Sequence, residues 1–448
     1  MSLPRYPEYR VSGIDWVEML PAHWEVANLK WVCRRYSGGT PDKNRLEFWE
    51  DGTVPWLNSG AVNDGRIFEP STYITREALA SSSAKWIPAG ALLMALAGQG
   101  KTKGMVAQLM FESTCNQSMA AIVPAGRVQA RYLYWWLANN YQNIRNMAGG
   151  DLRDGLNLDL LGEIPCPLPS CTEQATIAAF LDGETAKIDA LIVEQEKLLA
   201  LLAEKRQATI SHAVTRGLDP NAPMKDSGIP WLGEVPAHWE VRPLKSVVST
   251  PITDGPHETP AFLDEGVPFV SAEAVSGGTI NFDKIRGYIS AEDDARYSQK
   301  YRPQLHDIYM VKSGATTGVT AIVDGRTDFN IWSPLAVIRC NQAIAHPYFV
   351  LGYLRSRNCQ EGVALNWSFG TQQNIGMGVL GELPVALPPK EEQREIAEFL
   401  ERKLRGLNAL RISAEQAVFL LRERRSALIA AAVTGQIDVR GAMEPQAA

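Results

Sequence analysis

From Thr172 to Ala213 the apolar positions 177, 181, 188, 191, 198 and 202 step by three, four or seven residues, the spacing of a single helical stripe. Ser170-Cys-Thr-Glu173 has the form of a capping box, the prolines at 165, 167 and 169 mark an extended entry, and Arg216-Gly217 with Pro220 marks the exit. A second stripe, Ile396, Leu400, Leu407, Leu410, Leu421 and Leu428, runs from about Lys390 to Val433 after Pro388-Pro389. At 1.5 Å per residue, about 40 residues make a rod of roughly 60 Å. A stripe that long is best buried against a like stripe, so the spacing predicts that the two helices pair in a coiled coil, antiparallel if a pseudo-two-fold axis crosses them, with two separate core helices as the alternative.

The rest of the chain alternates differently. Gly, Pro, Asn and Ser are dense, and short apolar runs such as Gly266-Val-Pro-Phe-Val-Ser and Ile308-Tyr-Met-Val read as strands. Arg131–Asn140 and Pro347–Leu354 read as helices near the end of each region.

The chain is also written twice. Gly13–Lys30 recurs as Gly228–Lys245 with 11 of 18 positions identical, including Pro-Ala-His-Trp-Glu-Val. Leu161–Asp219 recurs as Leu380–Asp438 with 25 identities in 59 positions and no gap, far beyond chance. Between these blocks the copies diverge, although Val54-Pro-Trp-Leu still matches Val267-Pro-Phe-Val, and Leu93-Met94 matches Tyr309-Met310. A period above 200 residues excludes a solenoid. It implies a pseudo-two-fold arrangement of two modules. The fold expected is α+β: two mixed α/β domains with pseudo-two-fold symmetry, separated by two long antiparallel helices forming a coiled-coil spacer. The expected bounds are 1–165 for the first domain, 166–227 for the first helix and linker, 228–386 for the second domain, 387–440 for the second helix, and 441–448 for a flexible tail.

Composition narrows the function. The 448 residues carry a formal charge of −6, so any nucleic-acid contact rests on local patches or on partners. Residues 34–160 hold 13 Lys+Arg against 11 Asp+Glu, and residues 249–379 hold 10 against 13, so neither module is basic as a whole. Six cysteines without a Cys-x-x-Cys pair point to a reducing cytosol rather than a zinc or disulfide framework. The longest apolar runs, Ala91–Ala97 and Leu428–Val433, are too short to cross a bilayer, and the first residues lack a secretion signal.

Catalytic signatures are sparse. Gly100-Lys101-Thr102 resembles the tail of a phosphate-binding loop, but the first glycine such a loop needs is Ala95, and a strand-like run follows. No His-Glu-x-x-His and no Gly-x-Ser-x-Gly occurs. His23 and His238, in the repeated Pro-Ala-His-Trp, read as turns in which Trp24 and Trp239 plug the edge of each module. These observations favour a binder over an enzyme.

Each copy carries Leu-Gly-Glu-(Ile/Leu)-Pro-x-x-Leu-Pro-x-x-x-Glu-Gln-x-x-Ile-Ala-x-Phe-Leu, once through Leu168-Pro169, Glu173-Gln174 and Phe180-Leu181, and again through Leu387-Pro388, Glu392-Gln393 and Phe399-Leu400. With two variable modules set between long helices, this resembles the specificity subunits of type I restriction–modification systems over essentially the whole chain. The Gly38-Gly39-Thr40-Pro41 turn is similar to one in that family, and the second half departs from it with Thr253-Asp-Gly-Pro256.

The resemblance implies a bacterial or archaeal cytoplasmic, non-catalytic subunit. Each domain would bind one half of an asymmetric bipartite target in double-stranded DNA. The helices would dock two methyltransferase subunits, which use S-adenosylmethionine to modify adenine N6. Restriction subunits using ATP and magnesium would join them. It implies no cofactor, metal or catalytic residue in this chain and no membrane. The alternatives are a stand-alone DNA-binding protein such as a repressor, or an ATPase built on Lys101.

Candidate DNA contacts are the polar residues of glycine-flanked loops, where backbone can approach a duplex. They are Lys101, Thr102, Lys103, Arg153 and Asn157 in the first module, and Lys312, Thr316, Thr317, Thr371, Gln372, Gln373 and Asn374 in the second. Candidate docking residues are the twin pairs Glu173/Glu392, Glu204/Glu423 and Arg206/Arg425, because twin positions suit twin partners.

Overall fold

The computed structural model describes residues 3–98, 100–149, 155–275, 278–369 and 373–442. The chain forms two compact units, Met1–Gln195 with Ala417–Ala448, and Glu196–Gln416. These bounds differ from the expected ones because each long helix is shared, half to each unit. The expected tail lies outside the described residues from 443 onward.

In unit 1 a five-stranded sheet runs in the order Cys33–Ser37, Met119–Pro124, Leu92–Ala95, Val106–Leu109, Arg66–Ile67, antiparallel except for the last pair. The strand Leu92–Ala95 is buried on both faces, which is why it reads as an unbroken apolar run. Leu92 and Met94 enter one core with Leu133, Trp136, Ile177 and Leu181, whereas Leu93 and Ala95 enter another with Leu57, Ala107 and Ala121. A small sheet, Thr114–Cys115, Val54–Leu57, Thr72–Ile74, lies beyond the second core, its first pair parallel.

Unit 2 repeats this plan. Its larger sheet has the order Thr253–Asp254, Leu335–Ile338, Ile308–Val311, Thr320–Ile322, and its smaller one Tyr288–Ile289, Val267–Val270, Asn330–Ile331. Ile308 and Met310 face a core containing Phe349, Ile396 and Leu400, while Tyr309 and Val311 face one containing Val270 and Ile331. The helices Ala130–Asn139 and Pro347–Arg355 stand where the apolar patterning predicts them. In each unit an edge strand of the lead segment pairs with the strand entering the long helix: Glu25–Asn28 with Pro165–Leu168, and Glu240–Pro243 with Pro384–Leu387.

The long helices span Cys171–Arg216 and Lys390–Val433. In unit 1 the first helix touches the second at Asp189 and Arg425. In unit 2, Val214 of the first and Leu400 of the second both pack at Gly352, where an added Cβ would stand 3.2 and 3.1 Å from them. The sheltered stripe of the first helix passes through Thr185, Ile188, Ile192, Leu199, Leu202 and Ile210, and that of the second through Leu400, Leu407, Ala414, Val418 and Leu421. Leu191, Leu198 and Leu410, expected on the seam, are exposed instead. In the first helix the stripe keeps its heptad register through the residue next in sequence to each, Ile192 and Leu199, so an apolar side chain one position off points about 100° away. In the second helix Arg411 beside Leu410 is itself exposed, and the stripe passes from Leu407 to Ala414.

Residues near the two ends of the chain meet in unit 1. The Asp438 N–H donates to the Pro4 carbonyl at 2.8 Å, and the Tyr9 hydroxyl to the Gly435 carbonyl at 2.9 Å. No helix among the described residues is long and apolar enough to cross a membrane.

Candidate nucleic-acid interface

Each domain is locked to the root of a long helix by the repeated Glu-Gln. Glu173 is 5% exposed and accepts from the Tyr6 hydroxyl (2.5 Å), Trp24 Nε1 (3.1 Å) and His23 Nε2 (3.2 Å). Burial and this carboxylate together push the Tyr6 phenol far above its ordinary range, so it stays a donor. In unit 2 Glu392 accepts from Trp239 Nε1 (3.1 Å) and His238 Nε2 (2.8 Å). The neighbouring glutamines do the same work for the backbone. Gln174 accepts from the N–H of Gln129 and donates to the carbonyls of Arg127 and Pro169, and Gln393 accepts from His346 N–H and donates to Ile344 and Pro388. Gln129 and His346 are the N-caps of the two domain helices, so each glutamine satisfies a helix-start donor.

These contacts correct two expectations. Ser170 caps the first long helix through Glu173 N–H at 3.2 Å, but the Glu173 side chain turns to Tyr6 and Trp24 rather than back to the cap. For the same reason Glu173 is an internal anchor and presents no carboxylate to a partner. Glu204 and Glu423 are exposed, and Arg206 and Arg425 are half-buried.

Above the latch, the two domains share a frame at the carboxyl ends of their strands. The Asn116 N–H donates to the Leu57 carbonyl in unit 1, and the Trp332 N–H to the Val270 carbonyl in unit 2. Leu96 N–H donates to Ser118, and Lys312 N–H to Pro334. Strand pairing thus sets Asn116-Gln117-Ser118 at the place of Trp332-Ser333-Pro334. It also equates Gly38 with Gly255: a Cβ on either would stand 2.1 Å from a carbonyl oxygen, that of Cys115 or Ile331. The second half therefore departs from the Gly-Gly-Thr-Pro turn in sequence while keeping the first of its two glycines. The second, Gly39, is also closed in by the backbone of Ser83 and Ala84, and Pro256 stands in its place.

The strand ends border a cleft in each unit. In unit 1 it measures about 470 Å³ and is lined by Thr40, Lys43, Trp49, Asn58, Asn116 and Gln117 among others. In unit 2 it measures about 540 Å³, with Glu273, Lys284, Arg286, Thr316 and Trp332 in its walls. Both clefts carry cations and hydrogen-bonding groups on loops, which suits phosphate and base-edge contact.

The sequence candidates fall unevenly around these clefts. Lys101 is exposed at a neighbouring cavity, its carbonyl held by the Tyr141 hydroxyl at 2.6 Å. Thr102 is half-buried and Lys103 is buried, with its carbonyl 3.3 Å from Arg145 Nη1. The loop leads into the strand Val106–Leu109 rather than a helix, so the helix start that a phosphate-binding loop requires is replaced by a strand. Asn157 caps a short helix through Leu160 N–H at 2.8 Å. Arg153, Thr371 and Gln372 lie outside the described residues.

In unit 2, Thr316, Thr317, Gln373 and Asn374 come together: Gly314 N–H donates to the Gln373 carbonyl, and Ser313 bridges to Asn374. Lys312 is corrected. It is only 13% exposed, and its ammonium lies 2.9 Å from Asp254, which also meets Lys300 at 2.5 Å and His257 at 3.0 Å. Burial pushes the fully buried Asp254 carboxyl up, but the two ammonium groups outweigh that and hold it below its ordinary value. Lys312 thus braces the loop from beneath.

Sequence reasoning missed Gln117, Thr40, Glu273, Arg286 and Trp332. The usable signal was the turn directly after each matched strand, which the weak alignment between the modules obscured. Among the described residues no group of three or more His, Cys, Asp or Glu could hold a metal ion.

Comparison with known proteins agrees with this arrangement. A family described as "Type I restriction modification DNA specificity domain" matches residues 21–199 and 236–415. The chain is 31% identical over 155 residues to the EcoR124I/EcoR124II specificity subunit of Escherichia coli, covering 34% of this chain and 38% of that one. It is 22% identical over 436 residues to the MjaIX specificity subunit of Methanocaldococcus jannaschii, covering 94% of this chain and 95% of that one. Among solved structures, one described as "Structural basis underlying complex assembly and conformational transition of the type I R-M system" aligns over 93% of this chain and 99% of its own, with a TM-score of 0.71 at 20% identity. The HsdS subunit from Thermoanaerobacter tengcongensis aligns over 93% and 98%, with a TM-score of 0.54 at 18% identity.

Proposed function

The chain belongs to the type I restriction–modification DNA specificity family, and we propose from that premise that it reads an asymmetric, bipartite DNA target with two dissimilar domains and leaves the chemistry to partner subunits. The observation that carries this is the repetition itself: one latch and one strand frame occur twice, with different side chains at the strand ends. Identical frames keep the geometry of reading, and different loops change what is read.

In this reading the two long helices form an antiparallel coiled-coil spacer related by a pseudo-two-fold axis, which sets the gap between half-sites much as dimer geometry does in other DNA readers. Its support is the heptad register of both sheltered stripes and the Asp189–Arg425 contact in unit 1. Two adenine-N6 methyltransferase subunits dock on the helices and bring S-adenosylmethionine. Restriction subunits bring ATP and magnesium, and this chain holds no cofactor of its own.

Docking is supported less by the polar twins than by apolar ones. Leu191 and Leu410, Val193 and Ile412, and Leu201 and Leu420 are exposed at matching positions of the two helices. Exposed apolar residues repeated in register suit two equivalent protein partners.

The test is to express the chain with its methyltransferase and sequence the modified adenines. A motif with two different halves and a fixed gap is expected. A protein that binds its DNA tightly alone and captures no methyltransferase would favour the stand-alone reader. Saturable ATP binding by the isolated chain, lost in Lys101→Ala, would favour the ATPase.

A further inference from the structure

The shared frame shows where the two domains have been given different chemistry. In unit 1 the positions after the matched strands carry Asn58, Gly60 and Ser71, followed by Asn116-Gln117-Ser118. In unit 2 strand register puts Ser271, Glu273 and Arg286 at the first three places and Trp332-Ser333-Pro334 at the others. An amide-rich cleft thus stands where its counterpart holds an arginine, a carboxylate and an indole.

Arg286 is held as a base-reading arginine needs to be. Its Nε and Nη2 donate to one oxygen of Glu273 at 3.1 and 2.5 Å, and its guanidinium lies 4.9 Å from the centre of the Trp332 ring. Glu273 is fixed in turn by the Ser271 hydroxyl, and Trp332 by its Nε1 on the Glu258 carbonyl at 3.1 Å. The carboxylate takes the Nε edge of the guanidinium and leaves the Nη1/Nη2 end of the fork for a second, planar acceptor pair. Such buttressing lowers the entropy lost when the half-exposed side chain engages. As a surface ion pair alone it would be worth little.

Gln117 in unit 1 has the same logic with neutral groups. It is exposed, its Oε1 accepts from the Thr40 hydroxyl, and the turn carrying Thr40 is pinned by Trp56 Nε1 on the Gly39 carbonyl at 3.0 Å.

We propose that Arg286 reads a guanine in one half-site and Gln117 reads an adenine in the other, each from the cleft at the strand ends of its own domain. The pairing follows from edge chemistry, since a guanidinium fork matches guanine O6 and N7, and a carboxamide matches adenine N6 and N7. The inference rests on the DNA-reading function proposed above and goes on to name the side chains that supply the difference.

The experiment uses the full chain assembled with its methyltransferase, with the modified adenines sequenced for wild type, Arg286→Ala, Arg286→Lys and Gln117→Ala. Arg286→Ala is expected to relax one G·C position of one half-site by roughly 10- to 100-fold, leaving the other half-site and the gap unchanged. Arg286→Lys relaxes the same position, because a point charge lacks the two-pronged match. Gln117→Ala relaxes one A·T position in the other half-site. An unchanged motif at wild-type rate would overturn the assignment, as would an equal loss of methylation at every sequence. Unfolding midpoints are expected to stay at the wild-type value, and a fall common to both Arg286 variants would place the residue in the scaffold instead. A wild-type complex that modifies no defined sequence would overturn the functional reading itself, a distinct result.

Discussion

Arg425 on the second long helix donates two hydrogen bonds to Asp189 on the first, from Nε to Oδ1 at 2.8 Å and from Nη2 to Oδ2 at 3.1 Å. The repeat places Arg206 at the position of Arg425 and Asn408 at that of Asp189. In unit 2 the carboxylate is therefore missing. Arg206 is pushed below its ordinary pKa, by burial first and then by the charge of Arg411.

Restoring the carboxylate should help. Asn408→Asp is expected to raise stability by about 0.5 to 1 kcal/mol, and the gain should fade in molar salt because the groups are partly exposed. Asp189→Ala should lose about 1 kcal/mol, read as a shift in the denaturation midpoint.

The two latches differ in depth. Glu173→Ala strands the buried Trp24 N–H and Tyr6 hydroxyl and should cost about 3 kcal/mol. Glu392 is 25% exposed, so water can replace part of what Glu392→Ala removes, and about 1 to 2 kcal/mol is expected. Equal losses in denaturant melts would contradict the burial difference.

Asp254 gives unit 2 an acid-sensitive joint. Its carboxyl is held below the ordinary 3.8 in the folded state, so the stability it contributes is present above that value. It is lost as the pH falls through the depressed folded value. Asp254→Asn should flatten this acid limb. At neutral pH it should cost about 2 kcal/mol, less than a fully enclosed pair, because Lys300 is half exposed. Denaturant midpoints measured from pH 7 down to pH 3 would check both effects.

Gly38 and Gly255 have backbone oxygens where a side chain would begin. Gly38→Ala and Gly255→Ala should each cost about 3 kcal/mol or more, since backbone must move. Gly378, in the short helix Met377–Glu382 with open space around it, is the control. There alanine should be neutral or stabilise by up to about 1 kcal/mol.

Much of this molecule could be read from its sequence where a long pattern or a repeat averaged over many residues. The long helices, the doubly buried strands such as Ile308–Val311, and the edge-plugging roles of Trp24 and Trp239 follow from apolar spacing and duplication. Side-chain destinations did not follow. Leu191 lies one place off the sheltered stripe, and no periodicity in so short a window separates it from Ile192. Lys312 looked like a free loop cation because its partner, Asp254, is 58 residues away on another strand. Arg286 carried no signal at all until strand register set it opposite Glu273 and Trp332.

The backbone bond from Asp438 to Pro4 does in unit 1 what the covalent turn from Asp219 to Pro223 does in unit 2. The segments that carry Asp438 and Pro4 thus lie side by side in unit 1, close enough for a short linker to join them. A circular permutant that joins the ends by a short linker and opens at Asn221 would keep every contact described above. It would also begin with the other domain, so the order in which the two heads leave the ribosome has no bearing on the structure they reach.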